Sequence, residues 1–137
     1  MRTICAGAIL RDGNRLLLGK RSPNRDAFPG VWDAVGGHCL PNETPEQGLI
    51  RELQEEIGVT PTEFERLAVI AEPNGRNEGS TEYHIYVVTR WDGTPTNRLP
   101  GEHSELRWFD AERAATLDLA HPAYPDLLRR IAGDGAS

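Results

Sequence analysis

Residues 44–58 read "TPEQGLIRELQEEIG", and the fold reading starts from them. Thr44 can cap a helix, Pro45 suits the first helical position, and Gln47 completes a capping box. Gly58 follows the last apolar residue, where a left-handed C-terminal cap belongs. Leu49, Ile50, Leu53 and Ile57 read as one packing face at about 100° per residue. Arg51, Glu52, Glu55 and Glu56, with Gly48, read as the face turned away. That second face is unusual. Glu52 forms like-charge pairs with Glu55 and Glu56 at helical-neighbour spacing, each costing about 0.2–0.5 kcal/mol. All three acids lie in the C-terminal half, where the helix dipole favours cations. A solvated charged face is one reading. The other is a divalent cation held by clustered carboxylate oxygens, which removes both penalties.

Outward from this helix, strands and turns alternate. "TICAGAIL" (3–10) reads as a strand, "RDGN" (11–14) as a turn and "RLLLGKR" (15–21) as a second strand. "VWDAV" (31–35) is a short strand running into Gly36 and Gly37. Beyond the helix, "FERLAVIAEP" (64–73), "TEYHIYVVTRW" (81–91) and "SELRWF" (104–109) read as strands. "DAERAATL" (110–117) and "YPDLLRRIA" (124–132) read as helices. The order predicts an α/β protein, an α/β/α sandwich with helices on both sides of a mixed β-sheet. One domain is expected over residues 1–132, with 133–137 as a disordered C-terminal tail.

The totals narrow the function. The 137 residues carry 15 basic and 21 acidic side chains, a net charge of -6. That disfavours a sequence-independent grip on a nucleic acid polymer. It leaves room for a small phosphorylated substrate, because a cation can sit between two anions. The early apolar run is too short to span a membrane and lacks a signal-peptide layout, so a cytoplasmic protein without a membrane partner is expected. Cys5 and Cys39 form no CxxC pair and are expected to stay reduced. The four histidines give no zinc-binding spacing.

From Gly37 the pattern is a glycine, five residues, Glu43, seven residues, Arg51-Glu52-Leu53, Gln54, Glu55-Glu56, Ile57, Gly58-Val59. It resembles the complete Nudix box, and the resemblance extends to "VTRWDG" and "PGEHSELRWF" downstream. The resemblance implies the Nudix fold and hydrolysis of a nucleoside diphosphate linked to another group, with Mg²⁺ (or Mn²⁺) as cofactor. It implies Glu52, Glu55, Glu56 and the Gly37 carbonyl as metal ligands. It implies catalytic roles for Glu52 and Arg51, with Arg51 pairing to Glu43. Glu43 and Gly58 are then structural members of the box. The general base is either Glu52 or a later loop acid, for which Glu102 is the match and Glu105 lies close by. Arg21 is placed to hold substrate phosphates. Phe28 and Trp32 are candidates for stacking on the base, as are Tyr83 and Tyr86, with core packing as the other reading. His38, His103 and Cys39 flank the presumed site without an assigned role.

The flanks look most like the MutT-like branch, whose members cleave nucleoside triphosphates or 8-oxo-dGTP. A triphosphate split to monophosphate and pyrophosphate is therefore expected, by a monomer or homodimer. The short lead-in before the first strand also argues for the small substrate over ADP-ribose or another sugar nucleotide. Some features depart from the pattern. Val35 stands where a proline is frequent, Leu40 where an acid is, and Asn42 where a glycine is. The branch's base-reading asparagine is replaced by Ala120 and His121 in "DLAHPAYP", which predicts broad rather than strict 8-oxo-dGTP selection. Isopentenyl diphosphate isomerase, a non-hydrolysing relative, shares the "GKRSPNRDAFPGVWDAVGGH" flavour but has an altered acid helix. A non-catalytic nucleotide sensor would typically have lost box acids that are intact here.

Overall fold

Leu16, Leu17 and Leu18 are all buried, so their strand must be covered on both faces, since successive side chains point to opposite sides. The computed structural model describes residues 3–22, 30–71, 81–98 and 103–135. Its strands are β1 (Thr3–Asp12), β2 (Arg15–Arg21), β3 (Trp32–Asp33), β4 (Val35–His38), β5 (Thr60–Ala71), β6 (Thr81–Asp92) and β7 (His103–Asp110). Its helices are α1 (Pro45–Ile57), α2 (Ala111–Ala114) and α3 (Tyr124–Gly135). The mixed sheet has the order β3-β2-β1-β6-β5, with β4 pairing β1 and β7 pairing β2. The β1–β6 pair is parallel, and the β1–β2, β1–β4, β2–β7 and β5–β6 pairs are antiparallel.

Helices cover both faces, as the strand and helix order predicts. On one face Leu49, Leu53 and Ile57 of α1 pack with Ala8, Leu10 and Leu17. Full burial of each large side chain is worth about 1.5–3 kcal/mol. On the other face α2 and α3 contribute Ala114, Leu128 and Ile131 against Ile9, Leu16 and Leu18. No helix of the described residues is long and apolar enough to cross a membrane.

One edge of β1 is shared. Its first half pairs with β4 through Cys5 to Ala8, and its second half pairs with β2 through Leu10 to Asp12. Gly36 makes the first pairing feasible, because a Cβ there would fall 1.9 Å from the Ala6 carbonyl oxygen. The strand therefore continues through both glycines to His38 instead of ending at them. Three further boundaries differ from the sequence reading. β5 begins at Thr60 rather than near Phe64. α2 is one turn only: the Thr116 hydroxyl and N–H both donate to the Arg113 carbonyl, which closes the helix early. α3 runs to Gly135, three residues into the segment expected as a tail.

Candidate functional site

α1 is fixed locally at its start. The Thr44 side chain accepts from the Gln47 N–H, and the Gln47 side chain accepts from the Thr44 N–H. At its end, Gly58 adopts φ 72° and donates to the Leu53 carbonyl. The last turn contains no basic residue, yet a cation arrives from elsewhere. The Thr96 N–H donates to the Ile57 carbonyl and the Arg98 N–H to the Glu56 carbonyl, at 3.0 and 2.8 Å. The Arg98 side chain lies against Gly58 and donates to the Gln54 carbonyl.

The acid face does not lie as the sequence reading had it. Glu56 is only 2% exposed, while Ile50 is half-buried. The reason is angular. Glu56 stands about 20° from Leu49 around the helix axis at 100° per residue, so it borders the apolar arc rather than opposing it. Glu56 is beside Glu52, and Gly37 closes over Glu52: a Cβ on Gly37 would sit 3.0 Å from both Glu52 carboxylate oxygens. Burial first, then the neighbouring Glu56, push the Glu52 carboxyl up to about 7. Both Glu56 carboxylate oxygens are buried without a hydrogen-bond partner.

Arg51 braces the loop before the helix. Its Nε and Nη2 donate to the two Glu43 carboxylate oxygens at 2.8 and 3.1 Å, and Nη2 also donates to the His38 carbonyl at 2.9 Å. Nη1 donates to Glu55 at 3.0 Å, and Nη2 lies 3.2 Å from Glu52. The guanidinium, with the Leu40 N–H, holds the Glu43 carboxyl below the usual carboxylate range. Glu43, as expected, meets Arg51 and not the other acids' oxygens.

Other expected site residues separate. Glu55 is half-exposed and turned to Arg51, so only two of the three box acids gather. Among the described residues, no three His, Cys, Asp or Glu side chains converge as a ready-made metal cage. Arg21 is largely buried and pairs with Asp33 at 3.1 Å; Asp33 also accepts from the Tyr124 hydroxyl. Trp32 is buried edge-on against Phe109, at 4.8 Å, which corrects its expected stacking on a substrate base. Tyr86 is buried and donates to Glu46, and Tyr83 is partly buried against the core cluster that includes α3. Glu105 pairs with Arg107. His121 Nε2 donates to the Ala71 carbonyl and its Nδ1 accepts from the Ala123 N–H. Glu102 and Phe28 lie outside the described residues. Neither cysteine forms a disulfide; the Cys39 thiol is packed against Gly48.

One residue at the site had no assigned role in the sequence reading. His103 is 4% exposed, and its Nε2 stands 3.4 Å from Glu56. Its sequence signals were its place in the family-like "PGEHSELRWF" stretch and its flanking of the presumed site.

The NUDIX domain family model matches residues 1–131. The chain is 35% identical over 129 residues to nucleoside triphosphatase NudI of Salmonella newport (strain SL254), covering 86% of this chain and 88% of that protein. It is 35% identical over 95 residues to an 8-oxo-dGTP diphosphatase of Proteus vulgaris, covering 69% and 82%. A crystal structure of a MutT NUDIX hydrolase from Burkholderia pseudomallei superposes with a TM-score of 0.78 at 26% identity, covering 96% of this chain and 98% of that one.

Proposed function

This chain belongs to the Nudix family of hydrolases, and from that premise we propose that it cleaves a nucleoside triphosphate to the monophosphate and pyrophosphate, with Mg²⁺ as cofactor. One observation carries the reading. Glu56 is an almost fully buried carboxylate whose two oxygens have no hydrogen-bond partner, beside a second carboxylate, Glu52. A buried carboxylate whose oxygens accept no hydrogen bond is strongly unfavourable. Hard carboxylate oxygens in this state fit Mg²⁺ or Mn²⁺, which take oxygen ligands. Glu52 and Glu56 would hold the ion, with Gly37 beside them and Glu55 joining only by leaving Arg51.

When bound, such an ion lowers the pKa of water and neutralises phosphate oxygens. The chain's own residues do the rest. Glu52 would accept a proton from the attacking water, and Gly37, lacking a side chain, leaves its oxygens room. Arg51 keeps the 38–43 loop on the helix and so fixes the site's floor. Glu102 is a second candidate base by its place in the chain.

The substrate class rests on relatives that act on nucleoside triphosphates and 8-oxo-dGTP. Both His121 ring nitrogens are already engaged by backbone, and Ala120 uses its N–H on the Trp32 carbonyl. This stretch offers little for reading an oxidised base, so a broad preference among triphosphates is expected. The test compares kcat/KM for the common dNTPs, 8-oxo-dGTP and ADP-ribose with Mg²⁺, and identifies the products. A hundredfold lead for ADP-ribose would overturn the substrate class. The same lead of 8-oxo-dGTP over dGTP would overturn the broad preference.

A further inference from the structure

We propose that His103 is the positioning residue that orients the Glu56 carboxylate. The inference rests on the reading of Glu52 and Glu56 as cation ligands. His103 opens β7 and would ordinarily alternate with its neighbours across the sheet. The pairing with β2 slips instead: Lys20 faces Glu105, but Arg21 faces His103, so Ser104 is an extra residue. Such a bulge re-aims the side chains beside it. The imidazole then lies flat on Gly19 of β2, where a Cβ would stand 2.7 Å from Nδ1 and 3.0 Å from Cγ and Cε1. Glycine at that position is what leaves the slot open.

The slot ends at the carboxylate. Nε2 lies 3.4 Å from Glu56 Oε1, an ion-pair separation without hydrogen-bond alignment, and neither ring nitrogen has a hydrogen-bond partner. A histidine serving the core alone would satisfy at least one nitrogen on backbone. Consecutive residues clasp both partners: the Asn97 side-chain amide donates to the His103 carbonyl at 2.7 Å, and the Arg98 N–H donates to the Glu56 carbonyl. The two backbones are thus held at one spacing. The imidazole limits where the Glu56 carboxylate can turn, and so presents it to the ion with its neighbour Glu52.

The test is Mn²⁺ binding by calorimetry to the wild type, His103→Leu, His103→Gln and Gly19→Ala, with kcat and KM for dGTP beside it. Loss of an outer partner of a metal ligand typically weakens affinity about 10–100-fold, and His103→Leu is expected in that range. His103→Gln, which keeps a polar group at similar reach, should recover most of it. Gly19→Ala, which displaces the ring, should weaken binding in the same direction and add nothing in the His103→Leu background. kcat should fall with KM nearly unchanged. Should His103→Leu not fold, Gly19→Ala decides the question alone. Wild-type protein that binds no Mn²⁺ overturns the cation reading and this inference with it. Wild-type binding matched by His103→Leu, or by Gly19→Ala where the leucine variant is lost, overturns the role of His103 only. His103→Gln as weak as His103→Leu reduces His103 to packing and also overturns the proposal.

Discussion

Replacing Glu56 by Gln should move stability in opposite directions with and without metal. The Glu52 carboxyl rises from 4.5 to about 7, with burial as the first cause and Glu56 as the second. The rise means that the charged Glu52 carboxylate opposes folding above that value. The glutamine leaves the burial in place and removes the charge of Glu56. Only the part due to that charge is relieved, and with solvent screening this is on the order of 1 kcal/mol. For a chain of this length that is about 3–5 °C in Tm. The assay is thermal unfolding at pH 8, above the Glu52 value, first in EDTA and then in Mg²⁺. In EDTA the variant should melt higher than the wild type. At about 100 times Kd, Mg²⁺ should stabilise the wild type by about 2.7 kcal/mol and reverse the order. Turnover of the variant should drop by about 100-fold or more, since even an outer partner of a metal ligand is worth 10–100-fold. A variant that melts lower than wild type in EDTA and keeps the full Mg²⁺ shift would refute the reasoning.

Four further outcomes are expected. Arg51→Lys keeps the charge but loses the fork on Glu43 and the bond to the His38 carbonyl, so denaturant unfolding should show about 2 kcal/mol lost. Arg98→Ala should lose about 0.3–1 kcal/mol through the α1 C-terminus, a difference that shrinks in 1 M salt. Gly36→Ala and Gly37→Ala should separate structure from function: the first drives a Cβ into the Ala6 carbonyl and should prevent soluble folding, while the second meets the Glu52 carboxylate first, at 3.0 Å, and should lower Mn²⁺ affinity with Tm nearly unchanged. The Glu43 carboxyl is held low by Arg51 and the Leu40 N–H. Its stabilisation is complete above the ordinary 4.5 and is lost as the pH falls through the lowered folded value. Glu43→Gln should therefore flatten the acid limb of a Tm–pH curve below about pH 4.5.

What was legible in the sequence was local. Thr44, Pro45, Gln47 and Gly58 act on their own helix, and the structure has the cap, the box and the left-handed stop where those residues put them. The ion pair of Arg51 with Glu43 joins the residue before the cap to the second turn of the same helix and followed from the motif. What stayed hidden depends on chain that returns from far away. Arg21 meets Asp33 across the segment from 22 to 32, so an arginine that looked placed for phosphates is already committed to a carboxylate. Trp32 is buried because Phe109, 77 positions later (109 − 32), packs on it. The place of His103 needs the β2–β7 register and its bulge, which no local pattern encodes. The burial of Glu56 was legible in principle, since its angular distance from Leu49 is simple arithmetic, but the acid-face reading grouped it with Glu52 and Glu55.

The crowding of acids on α1 resolves unevenly, and the unevenness is informative. The unfavourable helix end is answered by the Thr96 and Arg98 N–H groups and the Arg98 side chain. Glu43, Glu52 and Glu55 all lie within ion-pair distance of Arg51. Glu56 does not, though it is the most buried of the four. Among the described residues the one ion-pair contact of its side chain is with an imidazole at 3.4 Å, without hydrogen-bond alignment. If the acids served solubility, the deepest would be the one most in need of a partner, because desolvation grows with burial. The chain neutralises the acids that water could already screen and leaves the one that water cannot reach. That order suits a carboxylate kept for a ligand from outside the chain, and it makes Glu56, rather than the more exposed Glu55, the residue whose loss should most reduce cation affinity. Parallel Mn²⁺ titrations of Glu55→Gln and Glu56→Gln decide it: equal losses, or a larger loss for Glu55→Gln, would show that burial does not rank the ligands.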